Sequence, residues 1–318
     1  MLLVKKFGLL GAFHTAFLCL LWAIAAGALP ASAQTSPGIP VPVGTWTNVL
    51  TQGLPVSTND WEQLVYAHSI QQSVMLSQYH QVNSEPNESI IGYNFDTNSW
   101  DVLDMGGLFH TENMPEGGES QGYFDYNAND ATIDYHCCTS GSNQAENVNH
   151  TWWYDLLGQA GRDKQTPNEP TSLQPGGAFD VTDDVSVMYG GDSYVGTWTY
   201  DPVGNAWSPI NTFGLAPDPS VILPGAAYDS TTDQVFIYGG KNSAGTTFYS
   251  SLYAYSVPTN TWTPISPSNG AAPPARCCMN FAYDPNDNIF LLYGGKNASG
   301  VLGDTWAFNP VTNTWTQL

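Results

Sequence analysis

The sequence predicts an all-β fold of four-stranded sheets repeated around a common axis. Three observations carry this. A tryptophan recurs about every 54 residues, a Gly-Gly doublet holds a fixed place in the later periods, and the composition is rich in Gly (31), Pro (22), Trp (11) and Tyr (17) with 11% charged residues. Many turn formers and few charges argue against a helical bundle. A fixed internal period decides the architecture before any single residue does.

The period is clearest near the end of the chain. Tyr200-Asp201-Pro202 leads to Trp207, Tyr255-Ser256-Val257-Pro258 to Trp262, and Phe308-Asn309-Pro310 to Trp315, with the aromatic always seven residues before the Trp. Val203-Gly204-Asn205, Thr259-Asn260 and Thr312-Asn313 supply turn chemistry between them, so each unit reads as a hairpin. Upstream lies a second shared unit, Phe179 to Tyr189-Gly190-Gly191, Tyr228 to Tyr238-Gly239-Gly240, and Tyr283 to Tyr293-Gly294-Gly295. Each of these gives a strand, a tight turn and a second, buried strand. A period therefore holds four strands, a to d in chain order.

Trp46, Trp100, Trp207, Trp262 and Trp315 are spaced by 54, 107, 55 and 53 residues, so a period without its Trp is expected between Trp100 and Trp207. It is found there: Phe124-Asp125 opens its strand a, and Thr151-Trp152-Trp153-Tyr154 matches Thr305-Trp306-Ala307-Phe308. In the first period Tyr66 to Leu76 forms strands a and b, with Ser77-Gln78 in place of Gly-Gly. The count is five full repeats plus an orphan strand at Gly44 to Leu50, which leaves five or six blades open. Sheets with two apolar faces must stack on one another, which makes a radial array the natural solution.

The Gly-Gly doublets, the Asp304-Thr305-Trp306 opening of strand c and the closing Trp of strand d resemble the kelch-repeat family, including the central propeller domain of galactose oxidase-like proteins. The resemblance spans residues 44–318 and is strongest in the last three blades. It implies a kelch-type β-propeller. It does not carry oxidase activity, because that chemistry uses His ligands from later blades and a following domain, and no His follows His150 here. A sugar-active enzyme resembling the exported sialic acid mutarotases is the enzymatic alternative, with Arg276 the one residue that suggests it.

Lys5 and Lys6 precede an apolar run to Leu29, and Ala31-Ser32-Ala33 has the small-residue pattern of a cleavage site, so 1–33 reads as a secretory signal peptide. Residues 34–43, with three prolines, read as a linker, and 44–318 as the propeller. No membrane span is expected after cleavage, and the chain is expected to be secreted, periplasmic or at the cell surface. Beyond residue 33 the basic residues are Arg162, Lys164, Lys241, Arg276 and Lys296, in a chain of net charge −21. Nucleic acid is excluded as a partner, since nothing neutralises a row of phosphates.

In this strand order the d-to-a and b-to-c loops share one face, and their variable lengths mark it as the functional candidate. His80, His110, Glu112, His136 and His150 fall in or near these loops. Arg276, His110, His136 and Glu112 are candidate ligand-binding residues. His80, His136 and His150 are candidate metal ligands, although no spacing matches a strong metal signature. Arg276 suits a bidentate carboxylate contact; capping backbone carbonyls, or pairing with an Asp of the next blade, is the other reading. Export favours disulfides among Cys137, Cys138, Cys277 and Cys278, with redox or metal roles also open. No cofactor is expected beyond a possible metal ion. The function expected is a binding module for a glycan, peptide or protein; adhesion within a larger assembly is a further alternative.

Overall fold

A computed structural model describes residues 3–4, 47–48, 52–53, 64–82, 85–104, 122–137, 150–171, 174–192 and 196–318, with only the backbone of 3–4, 47–48, 52–53, 76–82, 85–89, 104, 137, 150 and 163. Every regular element among them is a β-strand. Five antiparallel sheets follow the order a-b-c-d and form a five-blade propeller. Blade 1 comprises Leu64–Ala67, Gln72–Val82, Glu85–Asn94 and Ser99–Asp104; blade 2 Tyr123–Asn127, Thr132–Cys137, His150–Asp155 and Ala160–Asp163; blade 3 Gly176–Asp180, Val185–Tyr189, Thr197–Asp201 and Ala206–Ile210. Blade 4 comprises Gly225–Asp229, Gln234–Tyr238, Leu252–Ser256 and Thr261–Ile265, and blade 5 Asn280–Asp284, Ile289–Tyr293, Thr305–Asn309 and Thr314–Gln317. The five strands a are innermost and line one central channel.

Two expectations change. Of the orphan strand, Thr47–Asn48 is described, and it pairs with Leu3–Val4 rather than with a blade. The strand that does add to blade 1 is Gln52–Gly53, parallel to Ser99–Trp100, and Phe213–Gly214 adds to blade 4 in the same way. His80 also lies elsewhere than expected. Without a Gly-Gly stop, strand b of blade 1 runs on past a bulge to Val82, placing His80 inside a strand with Asn87 opposite.

The repeat is a repeat of contacts between blades. Strand-d tryptophans reach back one blade: Trp207 Nε1 donates to Thr151 Oγ1 (2.7 Å) and Trp262 Nε1 to Thr197 Oγ1 (2.9 Å). Strand-b tyrosines reach forward, with the Tyr189 hydroxyl donating to Pro217 O (2.6 Å) and Tyr238 to Pro273 O (2.7 Å). The doublets act beside them. The Gly191 amide donates to Val221 O and the Gly240 amide to Arg276 O, both at 2.9 Å. A Cβ on Gly190 would stand 2.3 Å from Val221 O, and at φ +76° a side chain is disfavoured as well.

Apolar clusters fill the junctions. Blades 1 and 2 share Ala67, Val74, Phe124 and Tyr135; blades 3 and 4 share Val187, Tyr189, Ile237 and Trp262; blades 4 and 5 share Phe236, Tyr238, Phe290 and Trp315. Tyr123 of blade 2 packs with Met188, Trp198 and Trp207 of blade 3. Between blades 5 and 1 the apolar groups form two separate clusters, Met75, Ile91, Tyr93 and Trp100 on one side and Ile289, Leu291 and Ala307 on the other.

Candidate functional site

The central channel has a volume of ≈ 710 Å³ and draws its lining from all five blades. Small residues at its wall (Gly177, Ala178, Ala226, Ala227, Ala282) keep it open. Its two ends are built differently. At the end formed by the a-to-b turns, aromatic hydroxyls tie neighbouring blades: Ser69 N donates to the Tyr126 hydroxyl (3.2 Å), Thr182 Oγ1 bonds Tyr228 (2.7 Å), and Thr231 Oγ1 bonds Tyr283 (2.7 Å).

The other end is ringed by loops. Gln174, Leu223 and Cys278 occupy equivalent places five residues before Phe179, Tyr228 and Tyr283, and all three take left-handed φ of +62°, +53° and +62°. That conformation turns the amides of Leu223 and Cys278 sideways to the preceding blade: Cys278 N donates to Leu223 O (3.1 Å) and Leu223 N to Gln174 O (2.8 Å). The result is a backbone collar around the mouth. Cys278 faces the channel beside the Cys277 thiol. The neighbouring Cys278 thiol, aided by the charges of Lys241 and Lys296, holds Cys277 below the usual thiol range, while Cys278 is pushed well above it by Cys277 and by burial. Among the described residues neither has a disulfide partner. Of the other candidate pair, Cys137 ends strand b of blade 2 opposite His150, and Cys138 lies outside the described residues.

The sites expected from sequence fare differently. His136 is buried and sits where blades 3 and 4 carry Tyr189 and Tyr238. Its Nε2–H donates to Pro170 O (2.7 Å), as those tyrosines donate to Pro217 and Pro273. Nδ1 then accepts from Thr151 Oγ1 (3.2 Å), and the ring lies 4.9 Å from Trp207. Both ring nitrogens are thus engaged, Nδ1 within blade 2 and Nε2 on the loop that leads to blade 3.

Arg276 is fully buried within blade 5, with its guanidinium on both oxygens of Asp304 (2.6 and 2.8 Å), on Gly294 O (2.9 Å) and on Pro274 O (3.0 Å). The Arg276 hydrogen bond is the main reason the Asp304 carboxyl lies below its usual range. It thus caps carbonyls and pairs with an Asp of its own blade. His110 and Glu112 lie outside the described residues, as do the side chains of His80 and His150.

The structure adds residues that the sequence reading passed over. Lys241 and Lys296 stand on the b-to-c loops of blades 4 and 5, each directly after a Gly-Gly doublet. Lys296 exchanges backbone hydrogen bonds with Cys277 (3.0 and 2.9 Å). The duplicated Gly-Gly-Lys-Asn (239–242 and 294–297) was the signal that could have found them.

Residues 224–318, which hold blades 4 and 5, match the family described as the KLHDC2/KLHL20/DRC7 Kelch-repeats domain. No curated protein matches the chain. Blade 3 makes the same Gly-Gly, Tyr-to-Pro and Trp-to-Thr contacts outside the matched stretch.

Proposed function

We propose that this chain, a kelch-repeat β-propeller, is an exported binding module that takes a peptide, protein or glycan partner on its d-to-a and b-to-c loop face. Kelch propellers are protein-interaction modules in general, and a fold alone does not choose the partner. One observation carries the choice of face. Short turns and hydroxyl bonds tie one end of the channel, while Lys241 and Lys296 flank the mouth at the other in a chain of net charge −21. Isolated positive charge on an acidic surface focuses approach of an anionic group, so a carboxylate-bearing ligand is favoured. Arg276, already paired with Asp304, does not take this role.

Peptide and glycan arrays probed with the chain recovered from the exported fraction, its N-terminus then at Gln34, test the reading. A ligand is expected whose affinity falls about tenfold or more in Lys241→Ala/Lys296→Ala, roughly what two lost charge-assisted contacts cost. Val203→Asp, on an exposed c-to-d turn of the opposite face, should leave it unchanged. Binding that responds to Val203→Asp and not to the lysines would place the site elsewhere.

A further inference from the structure

The repeat carries its own control for a second site. At each junction, the a-to-b turn of one blade presents residues one and four after its channel aromatic, and the turn of the next blade presents the residue five after its own. Between blades 4 and 5 these are Asp229, Thr232 and Asn288, and the set is satisfied. Asp229 Oδ2 accepts from Thr232 Oγ1 (2.7 Å), and Asn288 Oδ1 accepts from Tyr283 (2.8 Å). Between blades 2 and 3 Asn127 replaces the first carboxylate, and Asp184 accepts from Asn129 Nδ2 (2.8 Å).

Between blades 3 and 4 the same positions hold Asp180, Asp183 and Asp233, with one carboxylate oxygen from each lying within 4.8 Å of the others. Asp180 is 0% exposed. Its Oδ1 caps the turn, accepting from the amides of Thr182 (3.0 Å) and Asp183 (3.1 Å). Its Oδ2 has no hydrogen-bond donor, and neither does the buried Oδ2 of Asp183. Tyr228 is close enough to lower the Asp180 pKa slightly, but its one proton is directed at Asp233 Oδ1 (2.8 Å). Burial first, and then the neighbouring carboxylates, push Asp180 and Asp183 above the usual range. Three carboxylates within 4.8 Å of one another, with no cation paired to them among the described residues, are costly.

We propose that Asp180, Asp183 and Asp233 bind a calcium ion that clamps blade 3 to blade 4. All the donors are oxygens, as hard cations require. Oxygens within 4.8 Å of one another suit calcium's flexible shell, whereas magnesium keeps several of its waters and is seldom held by a cage of protein groups alone. The Thr182 and Tyr228 hydroxyls, 2.7 Å apart beside Asp233, offer neutral oxygens to complete the shell.

The test is thermal unfolding of the full chain, stripped with chelator and titrated with calcium chloride or magnesium chloride. Its comparison is Asp183→Thr/Asp233→Asn, which copies the satisfied junction between blades 4 and 5. Calcium in the millimolar range should raise the wild-type midpoint by roughly 3 °C or more, and magnesium should do less. The double variant should start higher in chelator and fail to respond; if it does not fold, Asp233→Asn alone is read the same way. A wild-type midpoint that stays fixed up to about 10 mM calcium, or an undiminished rise in the variant, would overturn the site.

Discussion

The contacts described here are legible residue by residue, because departures from the repeat leave visible defects. The turn asparagines Asn205 and Asn260, both at left-handed φ, accept hydrogen bonds from Tyr200 (3.1 Å) and Tyr255 (2.9 Å). In blade 5 the tyrosine is Phe308, and Asn313 Oδ1 is left buried without a donor. Likewise Trp315 Nε1 has no acceptor, because Leu252 stands where Thr197 and Thr151 serve the other tryptophans. Phe308→Tyr should therefore stabilise the fold, by about 0.5–1.5 kcal/mol, the net value of one hydrogen bond. Denaturant unfolding measures it; a destabilised variant would mean the hydroxyl does not reach Asn313. The seven-residue spacing from aromatic to Trp made the hairpin plain in the sequence. The threonine that each tryptophan Nε1 finds was not, since it lies 56 or 65 residues away across a junction. His136 shows the same limit. A ring nitrogen replacing a phenol at the end of strand b looks like a metal ligand until the Pro170 carbonyl is found opposite it.

At the level of strands, blade 2 is the exception within the stack. Its strand d carries Gly161 opposite Tyr154 where other blades carry Trp, and Tyr154 instead donates its hydroxyl to Leu103 O of blade 1 (2.7 Å). Its strand b places Asp134 at the position of Val187, Phe236 and Leu291. Lys164 approaches that carboxylate at 3.6 Å and rests on the Tyr200 ring. Burial outweighs the lysine, and Asp134 is pushed up to about 6; burial likewise raises Asp125, hydrogen-bonded to Tyr123, to about 7. A carboxyl whose pKa is raised on folding holds its proton longer in the native state. The stability it confers is present below the ordinary value near 4 and is lost as pH rises towards 6 or 7. The unfolding midpoint should therefore fall between pH 4.5 and 7, and Asp134→Asn should flatten that fall by an amount on the order of 2 kcal/mol. An equal fall in the variant would contradict the assignment. Strand number and order were readable from periodicity; these buried acids were not, because an isolated Asp in an alternating strand reads as solvent-facing.

Across the whole molecule, four junctions share apolar clusters among the described residues, and the fifth joins no such cluster among them. The tryptophan at that junction, Trp100, is buried with its Nε1 unpaired, whereas Trp207 and Trp262 each find a threonine one blade back. The stack from blade 1 to blade 5 is thus continuous, and the seam between blades 5 and 1, where Trp100 of blade 1 has no acceptor, is its weakest joint. Elements with few shared contacts open first, which makes blade 1 the natural place for early unfolding. The blade count, left between five and six by the orphan strand, depended on how the chain closes on itself. No local pattern encodes that. Blades bury one another through repeated junctions. Amide hydrogen exchange tests this most directly, comparing Val185–Tyr189, Gln234–Tyr238 and Ile289–Tyr293 with Gln72–Met75. The three later strands should open together and slowly, with blade 1 ahead of them. Unrelated rates among the three, or blade 1 as the most protected, would contradict the account.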